Sequence, residues 1–387
     1  MDFSSFFVKD ESFAYLNAGT LSRTPLRVLA AMESRRQLEE INPTRANFAS
    51  VELLWRVQES LGAFLGAEAE DLFLRANIMA AINDFLFALP LEGSGEILTT
   101  GLEYGAVANA CRIRAAQAGM EYRQVKLAFG ANTSGSDLAR AILAELKPQT
   151  RVLVLSHVAT GTGAILPIEE IGHAAQSRGI VVIVDGAHGV GSLPLFLKSL
   201  PVDFYGGNLH KWFMGPKGTA FGWVHPSWRE NLEWRFGGWA SFTKPKHFHG
   251  FGGSDEAARR VLPGTIDDTP FFGVLETLKF WEDHGAGELR TRQRDLRDLA
   301  AAEAEELGWE RVSPRAPKDL GALVAFRRPA AWEGQDGVTL ATRILKEARV
   351  QLALPSVQGE NLVRFSPGIF ATEDEVREGV RRLRGFQ

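Results

Sequence analysis

The chain has 387 residues, of which 45% are hydrophobic and 23% charged, so it can form a sizeable core without disulfides or a structural metal. Its net charge of −4 gives no electrostatic reason to expect nucleic acid or an anionic membrane as a partner. The single cysteine, Cys111, excludes an intramolecular disulfide and a multi-cysteine metal site.

Targeting signals are not evident at the start of the chain. Residues 1–13 carry charges within their apolar stretch and lack the basic region of a secretion signal. No apolar run approaches the roughly 20 residues that span a bilayer. His247 and His249 have no nearby acidic or thiol partners in the sequence. We therefore expect a cytoplasmic protein, with no membrane or nucleic-acid partner and no metal site.

Short apolar strands alternate with helical patterns through the first two thirds of the chain. Strands are predicted at residues 72–74, 96–100, 122–127, 151–156, 180–185, 203–206 and 220–224. Helices are predicted between them, for example at 104–118 and 168–178. This alternation predicts an α/β domain with a largely parallel sheet. Ligands bind at the carboxyl ends of such strands, so Tyr104, Thr160 and Asp185 are expected to converge on one crevice.

The pattern changes after Pro263. Helices are predicted at 271–284, 287–307, 338–348 and 372–383, and strands at 321–327 and 362–365. These elements predict a smaller α+β C-terminal domain at 263–387, after an N-terminal arm at 1–15 and a large domain at 16–262. Thr372 and Glu375 have the spacing of a capping box. The aromatic, glycine-rich segment 236–253 is predicted to be a loop that covers the active site or a subunit face.

Two motifs point to the chemistry. A β-branched run ends in Asp185, with His188 one turn later, and about two dozen residues on His210 and Lys211 stand together in a turn flanked by glycine. Pyridoxal 5'-phosphate (PLP) requires a lysine for its Schiff base and an acid that keeps its pyridine nitrogen protonated. The alternatives are a helix N-cap for Asp185, a surface loop for Lys211 and a strand-end position for His188.

In these motifs the chain resembles the fold-type I PLP enzymes. More narrowly, it resembles the class V aminotransferase family, which includes cysteine desulfurases and isopenicillin N epimerase-like enzymes. Seven strings carry the resemblance in the family order, at residues 102–106, 156–158, 185–189, 210–212, 215–218, 263–265 and 363–367. The resemblance implies a large PLP-binding domain, PLP as cofactor and an amino acid as substrate.

The resemblance also assigns roles around the pyridine ring. It implies that Lys211 forms the Schiff base and then moves protons at the substrate Cα. Asp185 would pair with the pyridinium nitrogen, while His188 and Thr160 would lie near the phenolic oxygen. Tyr104 occupies the position of the ring that stacks on the pyridine, where desulfurases usually carry histidine. The alternative for Tyr104 is a core position at a helix start.

The cofactor phosphate is expected at a helix N-terminus, where free N–H groups favour anions. Asn77, Ile78 and Met79 fit this position because they follow a predicted strand. The family usually has serine or threonine about where Met79 stands, so the chain departs from its family here. Asn208 and His210 are the implied side-chain donors.

Substrate binding is implied at both ends of the chain. Arg364 is the candidate for the substrate carboxylate, because a guanidinium matches a carboxylate with two hydrogen bonds. A structural salt bridge is its alternative role. Asn17 and Gly19 resemble the N-terminal substrate loop, and Arg45 is a further pocket candidate. Thr265 resembles the residue that reaches the phosphate of the neighbouring subunit, which implies a homodimer with composite active sites.

The sequence indicates the type of reaction less narrowly than it indicates the cofactor. Cysteine desulfurases carry a nucleophilic cysteine on a C-terminal loop, but residues 353–359 contain none and Cys111 is predicted to be buried. The resemblance therefore implies chemistry at the Cα through an external aldimine, with Lys211 as the base, and an epimerase-like or β-lyase-like outcome. An aminotransferase is the alternative. A non-catalytic binding protein is disfavoured because Lys211, Asp185 and His188 are all present.

Overall fold

A computed structural model describes residues 2–229, 231–232 and 264–386. The predicted loop at 236–253, the predicted domain boundary at 262–263 and the residues His247 and His249 lie outside this part of the chain. The division into an arm and two domains therefore stays a prediction.

Helices and strands alternate as the sequence predicts. Within the described residues the helices are α1 (Leu26–Ile41), α2 (Pro43–Leu65), α3 (Ile78–Ala88), α4 (Gly105–Ala118), α5 (Gly135–Ala144), α6 (Ile168–Gln176), α7 (Thr269–His284), α8 (Ala286–Glu306), α9 (Gly337–Glu347) and α10 (Glu373–Arg381). The strands there are β1 (Ala14–Tyr15), β2 (Leu72–Arg75), β3 (Glu96–Thr100), β4 (Glu121–Val125), β5 (Thr150–Ser156), β6 (Val181–Asp185), β7 (Phe204–Asn208), β8 (Ala220–Val224), β9 (Val324–Arg327), β10 (Val350–Gln351), β11 (Ser356–Val357) and β12 (Glu360–Phe365).

The central sheet has the strand order β2-β8-β7-β6-β5-β3-β4. The neighbours from β4 to β7 pair in parallel, whereas β8 pairs antiparallel with both β7 and β2. This confirms the expected α/β class with a mostly parallel central sheet. The carboxyl ends of β3, β5, β6 and β7 therefore lie along one edge.

Apolar side chains cover both faces of this sheet, as parallel sheets require. Along β5, Val152 and Val154 pack into one buried cluster with α3 and α4, while Leu153 and Leu155 pack into a second cluster with helices on the opposite face. Successive strand residues point to opposite faces, so one apolar run contributes to both clusters. The buried sheet gives the site a rigid floor.

The C-terminal part of the chain forms a small antiparallel sheet in the order β11-β12-β9. The N-terminal strand β1 pairs in parallel with β10, and Asn17 forms an isolated bridge with Ser366. These contacts bring the two ends of the chain together beside the central sheet. Among the described helices, none is both long and apolar enough to cross a bilayer.

Candidate active site

A cavity of about 460 Å³ lies at the carboxyl ends of the parallel strands. Most of the residues that the sequence singles out line it: Gly19, Asn77, Ile78, Met79, Tyr104, Thr160, Asp185, His188, Asn208, His210, Lys211 and Arg364. Tyr104, Thr160 and Asp185 thus meet in one crevice, as predicted from their positions after strands. Further lining residues that the sequence did not single out are Thr20, Ala106, Ser156, Val158 and Ala187.

Asp185 ends β6, and the turn after it bends sharply over Tyr205. A Cβ atom at Gly186 would lie 2.1 Å from the Tyr205 ring, and one at Gly189 would lie 2.3 Å from its hydroxyl oxygen. Both positions therefore need glycine for this close approach. The turn carries His188 into the cavity wall, and Asp185 accepts a hydrogen bond from the N–H of Ala187 at 2.8 Å.

Lys211 lies on the turn between β7 and β8. The N–H of Met214 donates to the carbonyl of Lys211 at 2.9 Å, and the N–H of Gly215 donates to Leu209 at 2.7 Å. Met214 closes this turn with a φ of 63°, in the left-handed region that favours glycine. The buried indole of Trp281 donates to the carbonyl of Phe213 at 2.9 Å, which fixes the turn to α7. The position of Lys211 is therefore determined by several contacts.

Burial shifts the ionisation of the charged groups. Burial is the main cause that lowers the pKa of Lys211 to about 8, against the opposing attraction of Asp185, and the charge of Arg364 lowers it further. Burial also raises the pKa of Asp185, although the Ala187 N–H and the charge of Lys211 oppose this. An amine with a pKa near neutrality can serve as a base at physiological pH.

His188 connects Lys211 to the opposite wall of the cavity. Its Nε2 lies 3.0 Å from the Lys211 Nζ and 3.0 Å from the Thr160 Oγ1. The indole N–H of Trp212 donates to its Nδ1 at 3.2 Å. Burial, with the charges of Lys211 and Arg364, keeps the pKa of His188 well below its usual value, so the ring is neutral.

The N-terminus of α3 forms another wall. Asn77 caps it by accepting from the N–H of Ala80 at 2.9 Å, and the Asn208 Oδ1 accepts from the N–H of Ile78 at 3.0 Å. Within the described residues the N–H of Met79 has no acceptor. The buried Nδ1 of His210 likewise has no hydrogen-bond partner there. Burial, with the charges of Lys211 and Lys217, lowers the pKa of His210 to about 4.

Arg364 is buried on β12 and lines the cavity from the C-terminal sheet. Its Nη2 donates to the Asn17 Oδ1 at 3.1 Å and to the Thr20 Oγ1 at 2.7 Å, and its Nη1 donates to the Thr160 carbonyl at 2.9 Å. Its Nε is buried without a partner among the described residues. Among the residues that the structure describes, the guanidinium therefore has neutral partners and no carboxylate, and burial lowers its pKa to about 10. A carboxylate ligand would supply the missing charge.

Two predicted site residues lie elsewhere in this chain. Arg45 lies exposed in the first turn of α2, where its N–H donates to the capping Asn42 at 3.1 Å. Thr265 is exposed and is not part of the cavity wall. A single chain thus does not bring either residue to the cavity.

The sequence interpretation missed the contributions of Thr20, Trp212 and Glu103. Thr20 accepts from Arg364, and Trp212 donates to His188. Glu103 accepts from the hydroxyls of Ser156 and Thr100 at 2.7 Å each, and burial raises its pKa to about 7. Each of the three is the sequence neighbour of a predicted site residue, and this was the signal by which the sequence could have indicated them.

The comparison with protein families decides the assignment. The family profile described as class-V aminotransferase matches residues 14–378, which is nearly the whole chain. The chain belongs to the class-V aminotransferases. It is a PLP-dependent enzyme with the fold of that family, as the resemblance implied.

Curated class-V relatives and solved structures agree with this assignment. Isopenicillin N epimerase of Streptomyces clavuligerus is 33% identical over 330 residues, which cover 84% of this chain and 82% of that protein. Putative L-cysteine desulfhydrase 2 of Oryza sativa subsp. japonica is 25% identical over 370 residues, which cover 89% and 74%. The cystine C–S lyase C-DES, solved with its reaction product cysteine persulfide, shares the fold, with a TM-score of 0.85 at 24% identity over 97% of this chain and 98% of that one.

The cavity of this class-V aminotransferase has the donor set that PLP requires. The free N–H of Met79 and the unpartnered Nδ1 of His210 suit a phosphate at the N-terminus of α3. Asp185 is a buried carboxylate suited to a protonated pyridine nitrogen, and Lys211 supplies an amine for the cofactor aldehyde. Tyr104 precedes α4 with its side chain about half exposed, so its ring can stack on a ligand. These residues fit the cofactor.

Proposed function

We propose that the protein epimerises an amino-acid substrate at its Cα, with Lys211 as a base. The observation that carries the proposal is that a base and a carboxylate anchor share one cavity, while the chain's single thiol lies outside it. Lys211 and Arg364 both line the cavity, and Cys111 is completely buried in α4. The 33% identity to an isopenicillin N epimerase supports this reaction over others of the family.

Substrate binding follows from the surroundings of Arg364. A carboxylate placed against its guanidinium would satisfy the buried Nε, which has no partner among the described residues. Asn17 and Thr20 already accept from the Nη2 and so hold the guanidinium plane in a fixed orientation. The amino group of the substrate then lies on the side of the cavity that holds Lys211 and Asp185.

Proton transfer follows from the surroundings of Lys211. When bound, PLP supplies an electron-withdrawing ring that acidifies the Cα–H bond of an attached amino acid. Asp185 holds the ring nitrogen protonated, and the amine of Lys211, with a pKa lowered to about 8, accepts the Cα proton. Lys211 keeps this proton or exchanges it with water, and epimerisation is complete when a proton that originates from water reaches the opposite face of Cα.

A second candidate is β-elimination, which shares the proton removal by Lys211. The likeness to a putative L-cysteine desulfhydrase supports it. In this reaction the β-substituent leaves with its bonding electrons, and the resulting enamine hydrolyses to a keto acid and ammonia. No protein thiol is required in either reaction.

The two reactions are separated by their products in deuterated water. Single enantiomers of amino acids and of peptides with a free α-amino group are incubated with the enzyme and analysed by chiral chromatography and mass spectrometry. Epimerisation predicts the opposite enantiomer with deuterium at Cα, and the Lys211→Ala variant should form none. A keto acid with ammonia would support the lyase instead. Amino-group transfer to a keto acid would contradict both.

Cysteine desulfurase chemistry is disfavoured by the position of Cys111. Burial, with the charge of Glu103, raises its pKa to about 12, so the thiol is protonated at neutral pH and a poor nucleophile. We expect Cys111→Ala to leave the reaction unchanged, at a stability cost of about 1 kcal/mol for the lost core contacts. Alanine as the product from cysteine, with loss of this reaction in the variant, would contradict the proposal.

We further propose a homodimer in which Thr265 reaches the active site of the partner subunit. Exposed apolar side chains support an interface on α1 and α2: Leu38, Ile41 and Phe48 are 64%, 78% and 64% exposed. Arg45 lies on the same segment and would join this interface. Sedimentation at micromolar concentration should give a dimer, and Phe48→Asp should weaken it. A PLP-loaded monomer would contradict the proposal.

A further inference from the structure

The buried indole of Trp212 contacts the ring of His188. Trp212 is 1% exposed and lies directly after Lys211, and its Nε1 is 3.2 Å from the His188 Nδ1. An indole nitrogen can only donate a hydrogen bond. The His188 Nδ1 must therefore be the acceptor and carries no proton.

The protonation of one ring nitrogen determines the role of the other. In a neutral imidazole one nitrogen carries the proton, and the hydrogen bond at one nitrogen selects the tautomer. With Nδ1 unprotonated, the proton of His188 lies on Nε2, which is 3.0 Å from both the Thr160 Oγ1 and the Lys211 Nζ. His188 is thus a donor on the side of the cavity.

Thr160 is the next residue in this series of donors and acceptors. The Thr160 Oγ1 accepts from the His188 Nε2–H and from the Arg364 Nη1, which is 3.3 Å away. With both lone pairs in use, the hydroxyl proton of Thr160 is free to point into the cavity that it lines. If Lys211 were protonated, its ammonium group and the His188 Nε2–H would be two donors facing each other. This tautomer therefore favours the neutral amine of Lys211.

We propose that Trp212 is a positioning residue that sets the donor direction of the series Trp212, His188, Thr160. Because Trp212 can only donate, each following group donates towards the cavity. The His188 Nε2–H is taken up by Thr160, so the Thr160 hydroxyl is the donor that the series presents to an electron-rich atom in the cavity, and a protonated Lys211 finds no acceptor at Nε2. Without the indole N–H, both tautomers of His188 become accessible, and the direction of donation along the series is no longer fixed.

The tautomer is measured directly by ¹⁵N NMR of the full-length protein labelled at histidine, with and without PLP. The chain has eight histidines, and the signal missing in His188→Gln assigns the ring. We expect a pyridine-type shift for Nδ1 and a pyrrole-type shift for Nε2. A protonated Nδ1 in the unmodified protein overturns the proposal without the need for any tryptophan variant.

The variant Trp212→Phe keeps an aromatic ring and removes the donor. We expect averaged shifts at both His188 nitrogens and a decrease of kcat of about tenfold, the size of one hydrogen bond, with little change in KM. Trp332→Phe is the matched control, because Trp332 is also 1% exposed and donates its single N–H at 2.8 Å, to the Phe386 carbonyl. Unchanged His188 shifts in Trp212→Phe, or the same change in Trp332→Phe, would overturn the role of Trp212.

Discussion

The amine of Lys211 lies 3.0 Å from a ring nitrogen of His188, a neighbour that burial keeps neutral. Asp185 and Arg364 are the charged groups that act on this amine, and they do so with opposite signs. The amine therefore loses hydration without gaining a dominant counter-charge. This is the physical origin of its lowered pKa, and it has consequences for stability as well as for catalysis.

The cofactor-free enzyme should become more stable between pH 8 and pH 10.5. The pKa of Lys211 is 10.5 in the unfolded chain and about 8 in the folded one, so in this range the unfolded chain binds a proton that the folded chain does not. The destabilisation is complete below pH 8 and vanishes above pH 10.5. Lys211→Met should therefore be more stable than the parent at pH 7, with a difference that shrinks towards pH 10.5. A constant difference in denaturant unfolding across this range would contradict the assigned shift.

Borohydride should attach PLP to Lys211 and abolish the visible absorbance of the enzyme. Peptide mapping then locates the label. Lys217 offers the matched control, because it lies on the same turn region but donates to the Thr24 hydroxyl at 3.2 Å. Lys211→Ala should lose the label and the activity but keep noncovalent binding of PLP, whereas Lys217→Ala should keep the label. A label found on Lys217 would refute the assignment of the lysine.

Asp185→Asn should decrease turnover by on the order of a thousandfold while the fold is retained. The amide has the size of the carboxylate and can still accept from the Ala187 N–H, but it cannot hold a proton on the pyridine nitrogen. Thermal unfolding and cofactor content serve as controls for the fold and the loading. Near-normal turnover in a fully loaded variant would show that the acid has no role in catalysis.

Arg364→Lys should increase KM by about ten- to a hundredfold, in keeping with the loss of charge-assisted hydrogen bonds worth roughly 1.5–3 kcal/mol. Lysine keeps the charge but not the planar arrangement that matches a carboxylate. The effect should be smaller on substrates whose carboxylate is converted to an amide. An equal loss for acid and amide substrates would indicate a structural role for Arg364.

The strands of the central sheet were predicted well from local sequence. Residues 96–100 and 220–224 are strands as predicted, since their apolar runs are bounded by turns. The strand predicted at 321–327 begins three residues later, at Val324. There, Gly321 donates to the carbonyl of Gly163, and Leu320 bridges Ala164. These partners are distant in sequence, so no local pattern could indicate them.

The predicted capping box of the last helix is confirmed for Thr372 but wrong for Glu375, again because of a contact that is distant in sequence. Thr372 caps α10 by accepting from the N–H of Glu375 at 3.1 Å, as predicted. The Glu375 carboxylate accepts instead from the N–H of Tyr15, also at 3.1 Å. A residue near the other end of the chain thus takes the place of the expected local donor.

In the candidate site, too, the positions that depend on short segments could be predicted, and those that depend on contacts distant in sequence could not. Strand ends and turns led us to expect Asp185 and Lys211 in one site, and both line the cavity, because their positions depend on short segments. The long helix α1 was not predicted, since Val28 is its one fully buried residue and no apolar stripe marks it. The neighbours of Arg364 depend on how distant parts of the chain meet, and Arg45 and Thr265 do not line the cavity of the single chain.

The hydrogen bond from Arg364 to Asn17 joins residues that are 347 positions apart. On the ribosome, the cavity wall that contains Arg364 therefore cannot assemble until nearly all of the chain has been synthesised. Residues 14–20 must wait for their partners, because β1 pairs with β10 and Ala18 donates to the carbonyl of Ser366. Such distant closure slows folding. A nascent or truncated chain that ends before β12 would have Lys211 and Asp185 but would lack Arg364, the proposed partner of the substrate carboxylate.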